Sequence, residues 1–194
     1  REIFETARLL RILREEGVDV NLHANADWGA WHWDSDLNLT RIISWTLTLQ
    51  DGTKEEFVGT HGPYGVSSGA GTPRYRGSWS NSVTFGKATI TGTLYHTSGL
   101  KLTAPDVTEG CFSTNTVTGE NFPASCRMSS FTTFDLTGSY DITPKISLTG
   151  SVLNAFDRKA PIDTLNYAAL NYNPTYDQAG AVGRFYTVGV RVKL

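Results

Sequence analysis

The tightest constraint on this chain is a period of two that persists over unusually long runs. From Val18 to Trp28 the even positions are Val18, Val20, Leu22, Ala24, Ala26 and Trp28, and the odd positions between them are Asp19, Asn21, His23, Asn25 and Asp27. Successive side chains of a strand point to opposite faces, so this split describes a strand with one apolar and one polar side. Leu37 to Leu49 repeats it: Leu37, Leu39, Ile43, Trp45, Leu47 and Leu49 share a face with Arg41 as the one exception, opposite Asn38, Thr40, Ser44, Thr46 and Thr48. Arg74–Phe85 sets Tyr75, Trp79, Val83 and Phe85 against Arg74, Arg76, Ser78, Ser80, Ser82 and Thr84. Ala88–Ser98, Phe131–Tyr140, Lys145–Asn154 and Gly183–Leu194 follow the same rule. The last sets Tyr186, Val188, Val190, Val192 and Leu194 against Thr187, Gly189, Arg191 and Lys193. Seven strands are predicted.

Length separates these strands from those of a soluble sandwich, which run about five or six residues. Ten to fourteen residues at about 3.3 Å each, tilted near 45°, cross roughly 25–30 Å, the thickness of a bilayer core. The predicted connections alternate short and long: Gly29–Asp36, Asp51–Pro73, Gly86–Lys87, Gly99–Ser130, Asp141–Pro144, Ala155–Val182. Outer-membrane barrels pair short periplasmic turns with long extracellular loops, whereas a sandwich has no reason to sort its loops by parity. Trp28, Trp31 and Trp33 flank one short turn, as an interfacial aromatic girdle does; an aromatic cluster in a soluble core is the alternative.

Composition narrows the classes further. Lys plus Arg is 17 against 19 acidic residues, with no basic arm, so there is no electrostatic case for nucleic acid. No run of 18 apolar residues exists, which excludes a membrane-spanning helix but not a barrel, whose apolarity is hidden in alternation. Arg1 is no natural start, so the sequence reads as a piece of a longer protein. Residues 1–16 break the alternation: Ile3, Ala7, Leu10 and Leu13 fall near helical spacing. We expect this stretch to be an N-terminal remnant, the tail of a preceding strand and loop, with residues 17–194 forming one barrel segment.

Ser130–Asp141 (SFTTFDLTGSYD), Ser151–Pro161 (SVLNAFDRKAP), Gly183–Leu194 (GRFYTVGVRVKL) and Gly17–Asn21 (GVDVN) resemble the C-terminal end of TonB-dependent receptors. Such barrels carry a strand ending in an Asn-x-Phe-Asp-like element, a long Tyr- and Asn-rich loop and a final Gly-Arg-x-Tyr strand. The resemblance covers about residues 17–194 and departs at the last residue, Leu194, where the family usually has Phe. It implies an all-β antiparallel meander forming part of a 22-stranded outer-membrane barrel, plugged by an N-terminal domain. It also implies TonB-energised uptake of a scarce nutrient such as a siderophore, cobalamin or glycan. The implied partners are outer-membrane lipid, the remaining strands and plug, TonB through an N-terminal part, and the barrel-assembly machinery, which reads the last strand. Seven strands cannot close such a barrel.

Catalytic and metal chemistry finds no foothold. Gly65–Gly69 matches G-x-S-x-G, but it sits in a Gly-rich loop without the strand-to-helix turn that a nucleophile elbow requires. His23, His32, His61 and His96 show no ligand spacing, and no catalytic residue, cofactor or metal site is expected. Cys111 and Cys126, the only cysteines, share one long loop and read as a disulfide in an oxidising exterior, with free thiols the alternative. Arg74, Arg76, Asp135, Arg191 and Lys193 share the polar faces and read as lumen residues. Tyr167, Tyr172 and Tyr176 lie in a loop that could touch a ligand from outside, but no substrate contact can be assigned. A small outer-membrane pore, a barrel enzyme and a soluble β-sandwich are the competing readings. They are disfavoured by strand count, by the lack of grouped catalytic side chains, and by loop parity with strand length.

Overall fold

Two-residue turns define one end of the molecule. The computed structural model describes residues 12–49, 51–62, 71–102, 117–120, 125–161, 163, 173, 176 and 182–193. β1 (Ile12–Trp28) reverses through Gly29–Ala30 into β2 (Trp31–Thr48), and the short β3 (Lys54–Glu56) follows. β4 (Tyr75–Phe85) reverses through Gly86–Lys87 into β5 (Ala88–Thr97). After the short β6 (Leu100–Lys101) and β7 (Arg127–Met128), β8 (Phe131–Thr143) reverses through Pro144–Lys145 into β9 (Ile146–Leu153). β10 (Phe185–Val192) is the last strand. Gly29 and Gly86 open their turns at φ +60° and +57°, the glycine-first arrangement of a type II′ hairpin, which suits the twist of the flanking strands.

The sheet is an all-antiparallel meander of seven long strands in the order β1-β2-β4-β5-β8-β9-β10, with β3 added to the far end of β2 and β6–β7 a separate pair. Each long connection leaves and returns at the end opposite the two-residue turns. Among the described residues β1 pairs only with β2 and β10 only with β9, so both edges are open.

Two sequence expectations need correction. The first turn is not Gly29–Asp36: β2 begins at Trp31, because Trp31, Trp33, Leu37 and Leu39 already alternate with His32, Asp34, Asp36 and Asn38. Nor does the first strand begin at Val18; Ile12–Glu16, read as part of a helix-prone remnant, continues β1. The signal was missed because Ile12–Glu16 reads as two apolar residues followed by three charged ones, with no alternation. In the register Glu16 pairs with Ser44 but Gly17 pairs with Ile42, so Ile43 is an extra residue on β2 and the odd positions of β2 change face there. Below this bulge β1 and β2 each contribute an 11-residue stretch, Val18–Trp28 and Trp31–Arg41, that matches the 11 residues of β4. That is the length a tilted strand needs to cross a bilayer core. Above it the hairpin projects past the sheet and takes up β3.

One face of the sheet is a ladder of hydroxyls and short polar side chains. Across β4 and β5, Ser80 meets Thr93 at 3.1 Å, Ser82 meets Thr91, and Thr84 meets Thr89 at 3.0 Å. Ser151 meets Thr187 across β9 and β10, and Thr40 donates to Asp19 across β1 and β2. A hollow of ≈ 280 Å³ lies on this face between Thr89, Thr137, Thr149 and Thr187.

The buried core lies in the connections at the loop end, around Leu100, Leu102, Met128, Ala160 and Tyr176, and the sheet lends it only Phe131. Trp45 and Leu47, expected to stand exposed on the apolar face, are covered instead. The extra residue Ile43 turns both to the opposite face, where they pair with Glu15 and Leu13; there Trp45 stacks on Phe57 at 5.1 Å and Leu47 is 6% exposed.

Candidate functional site

The face opposite the hydroxyl ladder is apolar and uncovered. Val188, Val190 and Val192 are 83, 65 and 59% exposed, and Tyr186, Leu22, Ile90 and Trp79 are exposed to at least half. Scattered exposed apolar residues are ordinary, but a continuous field of them across seven strands marks a surface that meets something other than water. Leu194, the other residue of the expected lipid-facing set, lies outside the described residues. Aromatics gather at both margins: Trp28, Trp31, Phe85 and Tyr140 at the turn end, Tyr75, Phe156 and Tyr186 at the loop end. Trp31 stacks on Phe85 at 4.3 Å, and Trp28 lies 6.2 Å from Trp33.

The polar residues on this apolar face are chemically accounted for. Ser35 and Asn81 are direct cross-strand partners between β2 and β4. Each accepts from a tryptophan: Trp79 Nε1 donates to Ser35 Oγ at 3.0 Å, and Trp33 Nε1 to Asn81 Oδ1 at 3.3 Å. A hydroxyl or amide facing hydrocarbon costs free energy unless it is hydrogen-bonded, and an indole supplies that bond while adding apolar cover. Arg41, the charged exception in the alternation, sits at the loop-end margin with its guanidinium 5.6 Å from the centre of the Tyr75 ring.

At the loop end, the two elements singled out in the sequence meet. Asn154 is fully buried at φ +48°; its amide oxygen accepts from Arg158 N at 2.9 Å while its Nδ2 donates to Arg158 O at 2.8 Å. Asn154 N donates to Asp135 Oδ1 of β8, and Ala155 N to Phe134 O, both at 2.7 Å. Asp157 in turn accepts from Arg184 N at 2.8 Å and from Lys159 Nζ at 3.2 Å. The Arg184 N–H foremost, with Lys159, holds the Asp157 carboxyl below its ordinary range. Gly183 has φ +81°, and a Cβ there would lie 2.5 Å from both Asp157 Oδ1 and Lys159 Nζ, so only glycine fits. Asn-x-Phe-Asp and Gly-Arg are thus two halves of one clasp that fixes where β10 begins.

Histidines that look scattered in sequence find carboxylates in space. On the polar face His23 Nδ1 lies 2.9 Å from Asp36 and Nε2 3.6 Å from Asp34, and His32 Nδ1 lies 2.7 Å from Asp27. Ligand atoms of His23, Asp34 and Asp36 fall within 4.8 Å of one another, a spacing a cation could use. The signal that sequence reading missed is the register, which sets His23 directly opposite Asp36. In the loop-end core His61 lies 3.3 Å from Asp163, both almost wholly buried, and Asn173 donates to the same carboxylate at 2.5 Å. Tyr176 is buried too, its hydroxyl donating to Ser98 O at 2.8 Å, and burial pushes its phenol well above the ordinary range.

Beside this core is a cavity of ≈ 530 Å³, bounded by the Val58–Thr60 segment, the first residues of β4, the end of β5 and the β6–β7 pair. Arg74, Lys101 and Arg127 line it. Of the remaining residues expected to matter, Gly65–Gly69, Tyr167, Tyr172 and Cys111 lie outside the described residues. Cys126 packs against the loop-end core. A search against protein-family models finds no match to this chain, and neither does a search of curated protein sequences.

Proposed function

We propose that this chain is the C-terminal part of the β-barrel of a TonB-dependent outer-membrane receptor, and that the whole protein takes up a scarce nutrient. The observation that carries this reading is the apolar face, uncovered across the meander, whose polar pair Ser35 and Asn81 are each bonded to an indole. In water such a face would drive association; in a bilayer it is the required surface, and the hydroxyl ladder behind it is what a water-filled lumen favours. Stretches of 11 residues in β1, β2 and β4 and aromatics at both margins fit the same environment. Two open edges favour a segment of a larger barrel over the small pore, because a sheet at membrane depth must close. The Asn154–Asp157 and Gly183–Arg184 clasp gives physical content to the motifs on which the receptor resemblance rests. In this reading the two-residue turns face the periplasm and the long connections face outward, where a ligand first meets the protein.

The test is cysteine scanning of the full-length protein in outer-membrane preparations. Ile90→Cys should react only with a lipid-soluble maleimide and its neighbour Thr91→Cys with a membrane-impermeant one. Equal labelling of both by the impermeant reagent would reject the membrane face. Uptake that persists without TonB would reject the receptor while leaving the barrel standing.

A further inference from the structure

We propose that the loop-end cavity between β4 and the β6–β7 pair is an anion-binding site, whose ligand is a small solute carrying two or more oxyanion groups, carboxylate or phosphate. The inference rests on the uptake reading only for what becomes of the ligand; binding itself rests on the cavity. Its volume, ≈ 530 Å³, falls in the range of small-molecule sites. Among the described residues its lining holds three cations, Arg74, Lys101 and Arg127, and no carboxylate. That is a local departure, because acidic residues outnumber Lys plus Arg in the whole chain, 19 against 17.

The strand register makes the charge arrangement costly without a counter-charge. Lys101 and Arg127 are directly opposite each other in the β6–β7 ladder, so their side chains leave on the same side. Like charges in that position destabilise a sheet. Neither forms an ion pair with a described carboxylate, nor does Arg74, whose Nη1 donates to a neutral acceptor, Ile43 O, at 3.3 Å. Neighbouring acids are engaged elsewhere. Asp163 faces His61 and Asn173, Asp157 holds Arg184 N and Lys159, and Glu56 Oε1 accepts from the amides of Trp45, Phe57 and Val58. A ligand oxyanion would supply the counter-charge that the described residues leave out.

The site is also built on a firm floor. Leu100, Leu102 and Met128, beside or beneath the two facing cations, are 0 to 2% exposed. The β6 backbone is tied down by Lys101 N to Gly59 O and Leu102 N to Cys126 O, each at 2.8 Å. The frame fixes the backbone from which the exposed Lys101 and Arg127 side chains reach, and arginine offers a planar fork that fits carboxylate and phosphate alike. Two or three cations call for a ligand with more than one anionic group. Phosphate could come from a free solute or from a lipid headgroup of the surrounding leaflet.

The experiment uses the full-length protein in vesicles of neutral lipid, titrated calorimetrically with citrate, inorganic phosphate and maltose at low salt. Citrate should bind and maltose should not, and Lys101→Gln with Arg127→Gln should weaken citrate by about tenfold or more, the loss of one charge-assisted hydrogen bond. Heat-modifiable migration of the double variant shows that it is folded. In a second arm, vesicles carrying phosphate-headgroup lipid weaken citrate binding if the headgroup takes the site, and leave it unchanged if the ligand is a free solute; both results support an anion site. Citrate and phosphate binding no better than maltose, or a folded double variant with unchanged affinity, would overturn it. Failure of the uptake reading alone would appear as intact citrate binding without TonB-dependent transport.

Discussion

Trp79 shows how much of the account rests on single atoms. Its Nε1 donates to Ser35 Oγ on the apolar face, beside the Trp33–Asn81 pair. Trp79→Phe keeps an aromatic ring but leaves the Ser35 hydroxyl unpaired, and an unsatisfied group in an apolar setting costs about 1–3 kcal/mol. Adding Ser35→Ala should recover most of that loss, because removing both partners is far cheaper than removing one. Denaturant unfolding of the full-length barrel in vesicles measures the cycle, and a Trp79→Phe cost independent of residue 35 would contradict it. Asp157 gives a pH prediction at the same scale. Its folded pKa is depressed, so the stability it contributes is complete above the ordinary carboxyl value of 3.8 and is lost as pH falls through the lower folded value. Hydrogen exchange at the Arg184 amide should therefore accelerate, beyond its intrinsic pH trend, only below that value. Asp157→Asn should abolish the acid step.

At the scale of elements, alternation made most strands legible, and it failed where it is absent or interrupted. Val18–Trp28 could be read because no residue interrupts it, whereas Ile12, Leu13, Arg14, Glu15 and Glu16, two apolar residues followed by three charged ones, carry no alternation that would show the continuation of β1. The turn at Gly29–Ala30 was blurred because Ser35 interrupts the apolar series between Trp33 and Leu37. Its reason to be there is a bond from Trp79, which is 44 residues away. The clasp was visible only as a pair of motifs, since nothing local says that Asp157 will cap Arg184. The loop-end cavity was not legible at all: Arg74, Lys101 and Arg127 come together through the Lys101–Arg127 pairing and the return of β4. The Cys111–Cys126 bond is the prediction that belongs here. Cleaved full-length protein should give a mass two hydrogens short of the dithiol for the peptide pair, and Cys126→Ser should destabilise the loop by about 3 kcal/mol in the chain-entropy picture. Ready alkylation of both thiols in unreduced protein would contradict it.

At the scale of the whole molecule, nine hydrophobics are buried and twenty-seven large ones exposed among the described residues, an inversion that the proposed membrane face accounts for. Under the proposed function, the sorting of two-residue turns to one end and long connections to the other is what strands crossing a bilayer would show, and the open edges at β1 and β10 are where further strands would pair. The last strand tests this most directly, because Thr187 and Val190 belong to the same short strand and face opposite sides. Val190 is 65% exposed on the apolar face, whereas Thr187 meets Ser151 in the hydroxyl ladder beside the polar hollow. An arginine on the lipid side near mid-bilayer costs about 2–4 kcal/mol, and on the lumen side little. The measurement is heat-modifiable migration of the full-length protein recovered from outer membranes. The account predicts that Val190→Arg abolishes the folded form and Thr187→Arg retains it; equal recovery of the two, or loss of Thr187→Arg alone, would contradict it.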